Sequence, residues 1–163
     1  MNSTNFKPSP YGGDGGGPGV GGGSLLLPRG LRNNNPLNII RNGTKWQGMS
    51  DTQTDKRFVQ FKTLAYGYRA AYKLIHTYMT KYGLLSIEGI ITRWAPPSEN
   101  NTEAYIQRVA KRTGWKRNAI LSFYNRELMA KLVVAMAEIE NGCPVEKGNA
   151  VYEGYALAAG WRK

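Results

Sequence analysis

The sequence is poor in the residues that build the commonest catalytic and metal centres. Its 163 residues include one cysteine, Cys143, and one histidine, His76. A lone cysteine excludes an internal disulfide framework and a cysteine metal site. A lone histidine gives little basis for a His/Cys metal centre or a Ser-His-Asp triad. We therefore expect no metal ion and no cofactor.

The chain also lacks a signal peptide and an apolar run long enough to span a bilayer. We expect a protein that is made in a cytoplasm and has no transmembrane segment. Acidic residues are few, 11 against 22 lysines and arginines, so the net charge is +11. That charge favours a polyanionic partner such as nucleic acid, an anionic membrane surface or the bacterial cell wall. The basic residues are spread along the chain, which indicates a generally basic surface more than a nucleic-acid-binding arm.

Glycine is abundant, and it is concentrated near the N-terminus. Half of the 20 glycines lie in the first thirty positions. Residues 1–24 cannot bury enough apolar surface to offset the entropy lost on ordering. They are predicted to be a tail that is disordered or is ordered by a partner. Residues 25–163 are predicted to be one domain, which is long enough to bury a core.

Hydrophobic periodicity divides this domain into a β part and a helical part. "LNIIR" and "TKWQG" flank Asn42-Gly43, a strong hairpin signal, and "RFVQF" alternates like a third strand. These segments predict a small three-stranded antiparallel β-wing. Apolar residues at helical spacing, with caps such as Ser86, Thr102, Gly114 and Gly142, predict five helices. They are expected at residues 64–82, 87–94, 102–112, 126–141 and 149–159. The predicted fold class is therefore α+β.

Two glutamates are the candidate catalytic residues. Glu140 ends an apolar helix, where the negative end of the helix dipole disfavours a charged carboxylate, as suits a general acid. Its alternative role is that of a solvent-facing residue of the last turn, which is the commoner situation for such a glutamate. Glu99 lies in the Pro-rich loop after Trp94. Its alternative role is to stabilise the start of the next helix.

Amides and aromatic residues form a second candidate set. Asn33, Asn34, Asn35 and Asn38 could bind the hydroxyl and acetamido groups of a glycan, or could simply form turns, because asparagine tolerates left-handed backbone. Trp46 and Trp94 offer flat apolar faces on which sugars stack. The tyrosines at helical spacing between residues 68 and 82 fit a core better than a site.

Longer motifs carry a resemblance to a known group of proteins. "RGLRNNNPLNIIRNGTKWQG", "RFVQFKTLAYGYRA", "IITRWAPPSENNTEAYIQRVAKRTG" and "AEIENG" together resemble small phage-encoded proteins. These are either virion structural proteins or lysozyme-like, peptidoglycan-degrading domains. The likeness covers nearly everything from Arg29 to about Gly142. A looser similarity, in permuted order, links the chain to glucosaminidases and lytic transglycosylases.

The resemblance implies a function as well as a fold. The domain would be lysozyme-like and mostly helical, with a β-wing, and circularly permuted. It would be a virion-associated muramidase or lytic transglycosylase that cuts peptidoglycan, with Glu140 as the acid and Glu99 as the second candidate. Substrate would contact the four asparagines and both tryptophans named above, together with Tyr66, Asn101 and Tyr105.

Several choices stay open at this stage. A single acid favours the transglycosylase route, although Asp51 or Asp55 could supply a second carboxylate. The alternative is a non-catalytic virion structural protein that uses the domain for wall binding or assembly. In either case the glycine-rich tail is expected to bind capsid or other virion proteins. Binding of nucleic acid is favoured by charge alone, and we do not expect it.

Overall fold

The computed structural model describes residues 27–160. The predicted tail, residues 1–24, therefore lies outside the described residues, as do positions 25–26 and 161–163. The described helices are α1 (Arg29–Arg32), α2 (Leu64–Lys81), α3 (Ile87–Trp94), α4 (Thr102–Thr113), α5 (Arg126–Asn141) and α6 (Asn149–Ala159). No described helix has the length and apolar character needed to cross a membrane.

The capping signals place the helix ends close to their predicted positions. The Ser86 side chain accepts a hydrogen bond from the Gly89 N–H at the start of α3. Gly142 ends α5 with a φ of 68°, a left-handed conformation that favours glycine. The predicted cap of α4 is corrected by one residue. Asn101 is the cap, because its side chain accepts from the Ala104 N–H, while the Thr102 hydroxyl donates to the Ala95 carbonyl.

Helix α5 lies in the core, and α2 packs against both α5 and α6. Ten of the sixteen residues of α5 are buried, so this helix is apolar on most of its circumference. The α2–α6 contact is close at Gly154, where a side chain would collide with α2. Tyr68, Tyr72 and Tyr78 are buried, which confirms that these three aromatics belong to the core, whereas Tyr82, just after the end of α2, is exposed.

The predicted three-stranded β-wing is absent from the described residues. Between α1 and α2 the chain is irregular, with two isolated antiparallel bridges, Ile40–Phe58 and Met49–Phe61. The hairpin prediction at Asn42-Gly43 was wrong because "LNIIR" pairs locally with "RFVQF" instead, through the hydrogen bonds Arg41 N–H to Arg57 O and Val59 N–H to Ile39 O.

Side chains provide much of the hydrogen bonding that a strand ladder would supply. The fully buried Asn35 donates to the carbonyls of Ile39 and Val59 and accepts from the Ile39 N–H. Asn34 and Asn38 adopt left-handed backbone, with φ of 54° and 55°, which bends the chain and prevents a continuous strand. The fold over residues 27–160 is therefore helical, and the prediction of an α+β domain with a three-stranded β-wing was wrong.

Candidate functional site

The C-terminal end of α5 presents a half-buried carboxylate at a meeting point of three segments. Ile139 is buried in the core, and the helix ends two residues later at Asn141. Glu140 therefore lies where the helix leaves the apolar interior. A glutamate there is held rigidly by the buried helix while its carboxylate can reach neighbouring segments.

Three donors converge on the Glu140 carboxylate. The Tyr105 hydroxyl of α4 lies 3.0 Å from Oε2, and the Trp94 indole nitrogen, at the end of α3, lies 3.3 Å from the same oxygen. The Asn38 amide nitrogen lies 3.3 Å from Oε1 and 3.3 Å from the Glu140 carbonyl oxygen. Trp94 and Tyr105 are fully buried. We call these four residues the Glu140 cluster.

The cluster can hold Glu140 in either protonation state. The indole N–H and the amide donate, so they favour an ionised carboxylate. Burial and the negative end of the helix dipole favour the neutral acid. The Tyr105 hydroxyl can donate to a carboxylate or accept from a carboxylic acid.

Of the four predicted asparagines, Asn38 is the one that the structure brings to this cluster. Asn33 donates to Asp55 Oδ2 and accepts from the Gln60 amide. Asn34 donates to the carbonyl of Phe61. Together with the buried Asn35 described above, these amides hold the segment between α1 and α2. Their predicted contacts with a glycan stay predictions.

Two of the aromatic residues predicted to contact substrate, Trp46 and Tyr66, lie in another part of the molecule, beside the start of α2. Trp46 is half-buried, its N–H donates to Met49 Sδ, and its indole nitrogen has no hydrogen-bond partner in the described part of the chain. The Tyr66 ring packs directly on Gly48. The structure thus pairs Tyr66 with the loop around Trp46, and it places Trp94 and Tyr105 at Glu140.

The Pro-rich loop holds the remaining predicted residues. Glu99 is exposed, and its N–H donates to the Pro96 carbonyl. Asn101 serves as the cap of α4. Because α4 carries Tyr105, this cap sets the start of an element that reaches Glu140.

Asp55 and Asp51, considered above as second carboxylates, have different surroundings. Burial alone would raise the pKa of Asp55, but the Arg29 guanidinium, the Phe58 N–H and the Asn33 amide hold it well below its usual range. Arg29 contacts both carboxylate oxygens at 2.8 Å. Asp51 is exposed. The Asp55 carboxylate therefore connects α1 to the segment that follows it.

Two residues beside the cluster were missed by sequence reasoning. Asn141 follows Glu140, and its amide nitrogen donates to the carbonyls of Pro36 and Ala137. Gly30, in α1, faces the amide oxygens of Asn38 and Asn141. The "ENG" and "RGLR" motifs contain both residues, but only the three-dimensional contact reveals their role.

Comparison with known proteins places the chain among phage proteins. No protein-family model matches the sequence. Protein P5 of Pseudoalteromonas phage PM2 is 50% identical to it over 117 residues, a match that covers 70% of this chain and 71% of the phage protein. Identity of this extent and coverage establishes common descent, and the chain belongs to the family of Protein P5 of Pseudoalteromonas phage PM2.

Proposed function

We propose that this chain is a structural component of a phage virion and that its helical domain acts on the peptidoglycan of the host cell wall. Kinship with a phage protein supports the first half of the proposal. The Glu140 cluster supports the second half and is the observation that carries it. The net charge of +11 suits an anionic wall.

The proposed chemistry is cleavage of the glycan strand. Glu140 protonates the glycosidic oxygen as the bond to the leaving sugar breaks, and the resulting carboxylate stabilises the positive charge at the sugar carbon. Trp94 and Asn38 then stabilise that carboxylate by donating to it. In a second step Glu140 takes a proton from the attacking hydroxyl.

The identity of that attacking hydroxyl separates the two possible enzyme classes. Asp55 is bound by Arg29 and is a poor second carboxylate. A single acid favours the lytic transglycosylase route, in which a hydroxyl of the substrate attacks and the N-acetyl group assists. Products with anhydro ends would support this route, whereas products with reducing ends would support a muramidase.

The principal test compares wild type, Glu140→Gln and Glu99→Gln on purified peptidoglycan. We expect soluble muropeptides from wild type and a loss of roughly 100-fold or more for Glu140→Gln, because glutamine cannot donate the proton. Glutamine still accepts from Trp94 and Tyr105, so the fold should persist. Glu99→Gln is the matched control and should retain activity. No muropeptide release by folded wild type would refute the enzymatic half of the proposal.

The second candidate function is a purely structural one, and the same cluster favours it. Glu140 joins α5 to α3, α4 and the segment that carries Asn38, so the carboxylate could act only as a connector. In that case folded wild type would be inert on the wall. Virions that carry Glu140→Gln at normal copy number and infect normally would favour the structural function over catalysis.

A further inference from the structure

Gly30 lies against the amides that flank Glu140. It is buried in α1, and a Cβ atom at this position would lie 2.6 Å from Asn38 Oδ1, 2.6 Å from Asn141 Oδ1 and 3.0 Å from the Asn35 carbonyl oxygen. Carbon and oxygen atoms in favourable contact are about 3.3 Å apart or more. A side chain at position 30 would therefore have to displace at least one of these oxygens.

The orientation of the Asn38 amide follows from its partners. Both atoms that its nitrogen contacts, the carbonyl oxygen and Oε1 of Glu140, accept hydrogen bonds. The nitrogen must therefore face Glu140, and the oxygen faces Gly30. A reversed amide would place two oxygens together at the carboxylate and would remove a donor.

Asn141 is oriented by the same reasoning. Its amide nitrogen lies 2.8 Å from the Pro36 carbonyl oxygen and 2.9 Å from the Ala137 carbonyl oxygen, both of which are acceptors. Its buried oxygen has no hydrogen-bond donor within residues 27–160 and packs against Gly30. The amide oxygens of the two asparagines that adjoin Glu140 thus both lie next to the position that a Cβ atom of residue 30 would occupy.

We propose that Gly30 is a positioning residue for Glu140. The absence of a side chain leaves the space in which the two amide oxygens lie, and this allows the Asn38 nitrogen to face the carboxylate. Gly30 acts through Asn38 and need not touch a substrate. The consequence for glycan cleavage rests on the proposed function, whereas the structural coupling of Gly30 to Glu140 does not.

The Trp94 indole N–H provides a direct test because it donates to Glu140 Oε2. We expect Gly30→Ala to shift the Trp94 indole peak in a ¹H–¹⁵N spectrum by at least half of the shift that Glu140→Gln produces. Gly154→Ala is the matched control, since its Cβ would meet the Tyr68 Cβ at 2.7 Å, in the α2–α6 contact. It should destabilise the protein and leave the Trp94 peak in place. An unmoved Trp94 peak in folded Gly30→Ala would overturn the proposal.

A second set of variants covers the case in which Gly30→Ala does not fold. Asn38→Gly removes the amide and keeps the left-handed backbone, and Asn141→Ala is compatible with a helix. If the amide oxygens are the obstacle, Gly30→Ala should be tolerated better when both changes are present. A triple variant that is as defective as Gly30→Ala alone would place the obstacle elsewhere and overturn the proposal.

Activity on peptidoglycan separates this inference from the proposed function. If wild type cleaves, Gly30→Ala should lower kcat at least 10-fold with little change in KM, and Gly154→Ala should leave both nearly unchanged. If wild type is inert, the enzymatic proposal fails. The Trp94 peak and the variant series then still decide whether Gly30 positions Glu140.

Discussion

The segment between α1 and α2 and the helices that follow it are stabilised in different ways. Helices α2–α6 satisfy their backbone groups internally and bury apolar side chains, most completely along α5. Residues 33–63 form two isolated bridges and depend on side chains such as Asn35, Asp55 and Gln60 for backbone hydrogen bonds. Stability in this segment is therefore concentrated in a few polar residues, whereas in the helices it is distributed over many apolar contacts.

The largest expected effect comes from removing a buried amide of this segment. Asn35→Ala leaves the buried Ile39 N–H and Val59 carbonyl without this partner, and it should lower the free energy of unfolding by about 3 kcal/mol. That is comparable with a core truncation such as Ile90→Ala, at about 3 kcal/mol. Chemical denaturation measures both values.

Asn42→Ala is the control for Asn35→Ala, because Asn42 is exposed and its side chain accepts a single hydrogen bond from the Thr44 N–H. We expect it to cost about 0.5 kcal/mol or less. Equal losses for the two asparagine variants would remove the basis for the comparison between the segment and the helices.

A smaller and pH-dependent effect is expected at Asp55. Its pKa in the folded protein is held below the unfolded value, so its stabilisation is fully present above about pH 4 and is lost as the pH falls through the folded pKa. Asp55→Asn should cost about 2 kcal/mol at pH 7. The gap between wild type and the variant should shrink as the pH falls below about 4.

Urea denaturation of wild type and Asp55→Asn at pH 7, 4, 3 and 2 measures this gap. Asp51→Asn is the matched control, since Asp51 is exposed in the same segment. A constant difference between wild type and Asp55→Asn over this pH range would contradict the role assigned to the ion pair with Arg29.

The smallest effect is expected at the surface of α4. The Arg117 guanidinium, which binds the Glu103 carboxylate, holds the pKa of Glu103 at about 2, yet this glutamate is fully exposed. Solvent screens such pairs, so Glu103→Gln should leave the urea midpoint unchanged within error. If Glu103→Gln clearly lowered stability, and if 1 M salt removed the difference from wild type, surface ion pairs would also contribute to the stability of the helical part.

The difference between helices α2–α6 and residues 33–63 also explains which parts of the fold could be predicted from the sequence. Helices α2–α6 were predicted nearly to the residue, because apolar spacing and caps such as Ser86 and Gly142 are local signals. The prediction of a β-wing was wrong because Phe58, Val59 and Phe61 are buried in a segment that forms isolated bridges and no continuous ladder. The hydrogen bonds that replace the ladder join residues such as Asn35 and Val59, which lie 24 positions apart.

The candidate site was predictable only in part, for a related reason. The position of Glu140 at the end of an apolar helix is a local pattern. Its contact with Trp94 depends on how α3 packs, and its contact with Asn38 depends on a left-handed turn in an irregular segment. The space at Gly30 has no local signature, because glycine in "RGLR" is equally consistent with a simple turn.

The hydrogen bond between Asn38 and Glu140 joins residues 102 positions apart, which also sets an order of events during synthesis. A ribosome adds roughly 5–20 residues per second, so the amide precedes its carboxylate by about 5–20 seconds. Only over the last 35 residues of that interval, after Tyr105 has been added, are Asn38, Trp94 and Tyr105 all present while Glu140 is still missing. An incomplete chain that stops before α5 therefore carries the donors and no carboxylate, and it cannot assemble the Glu140 cluster.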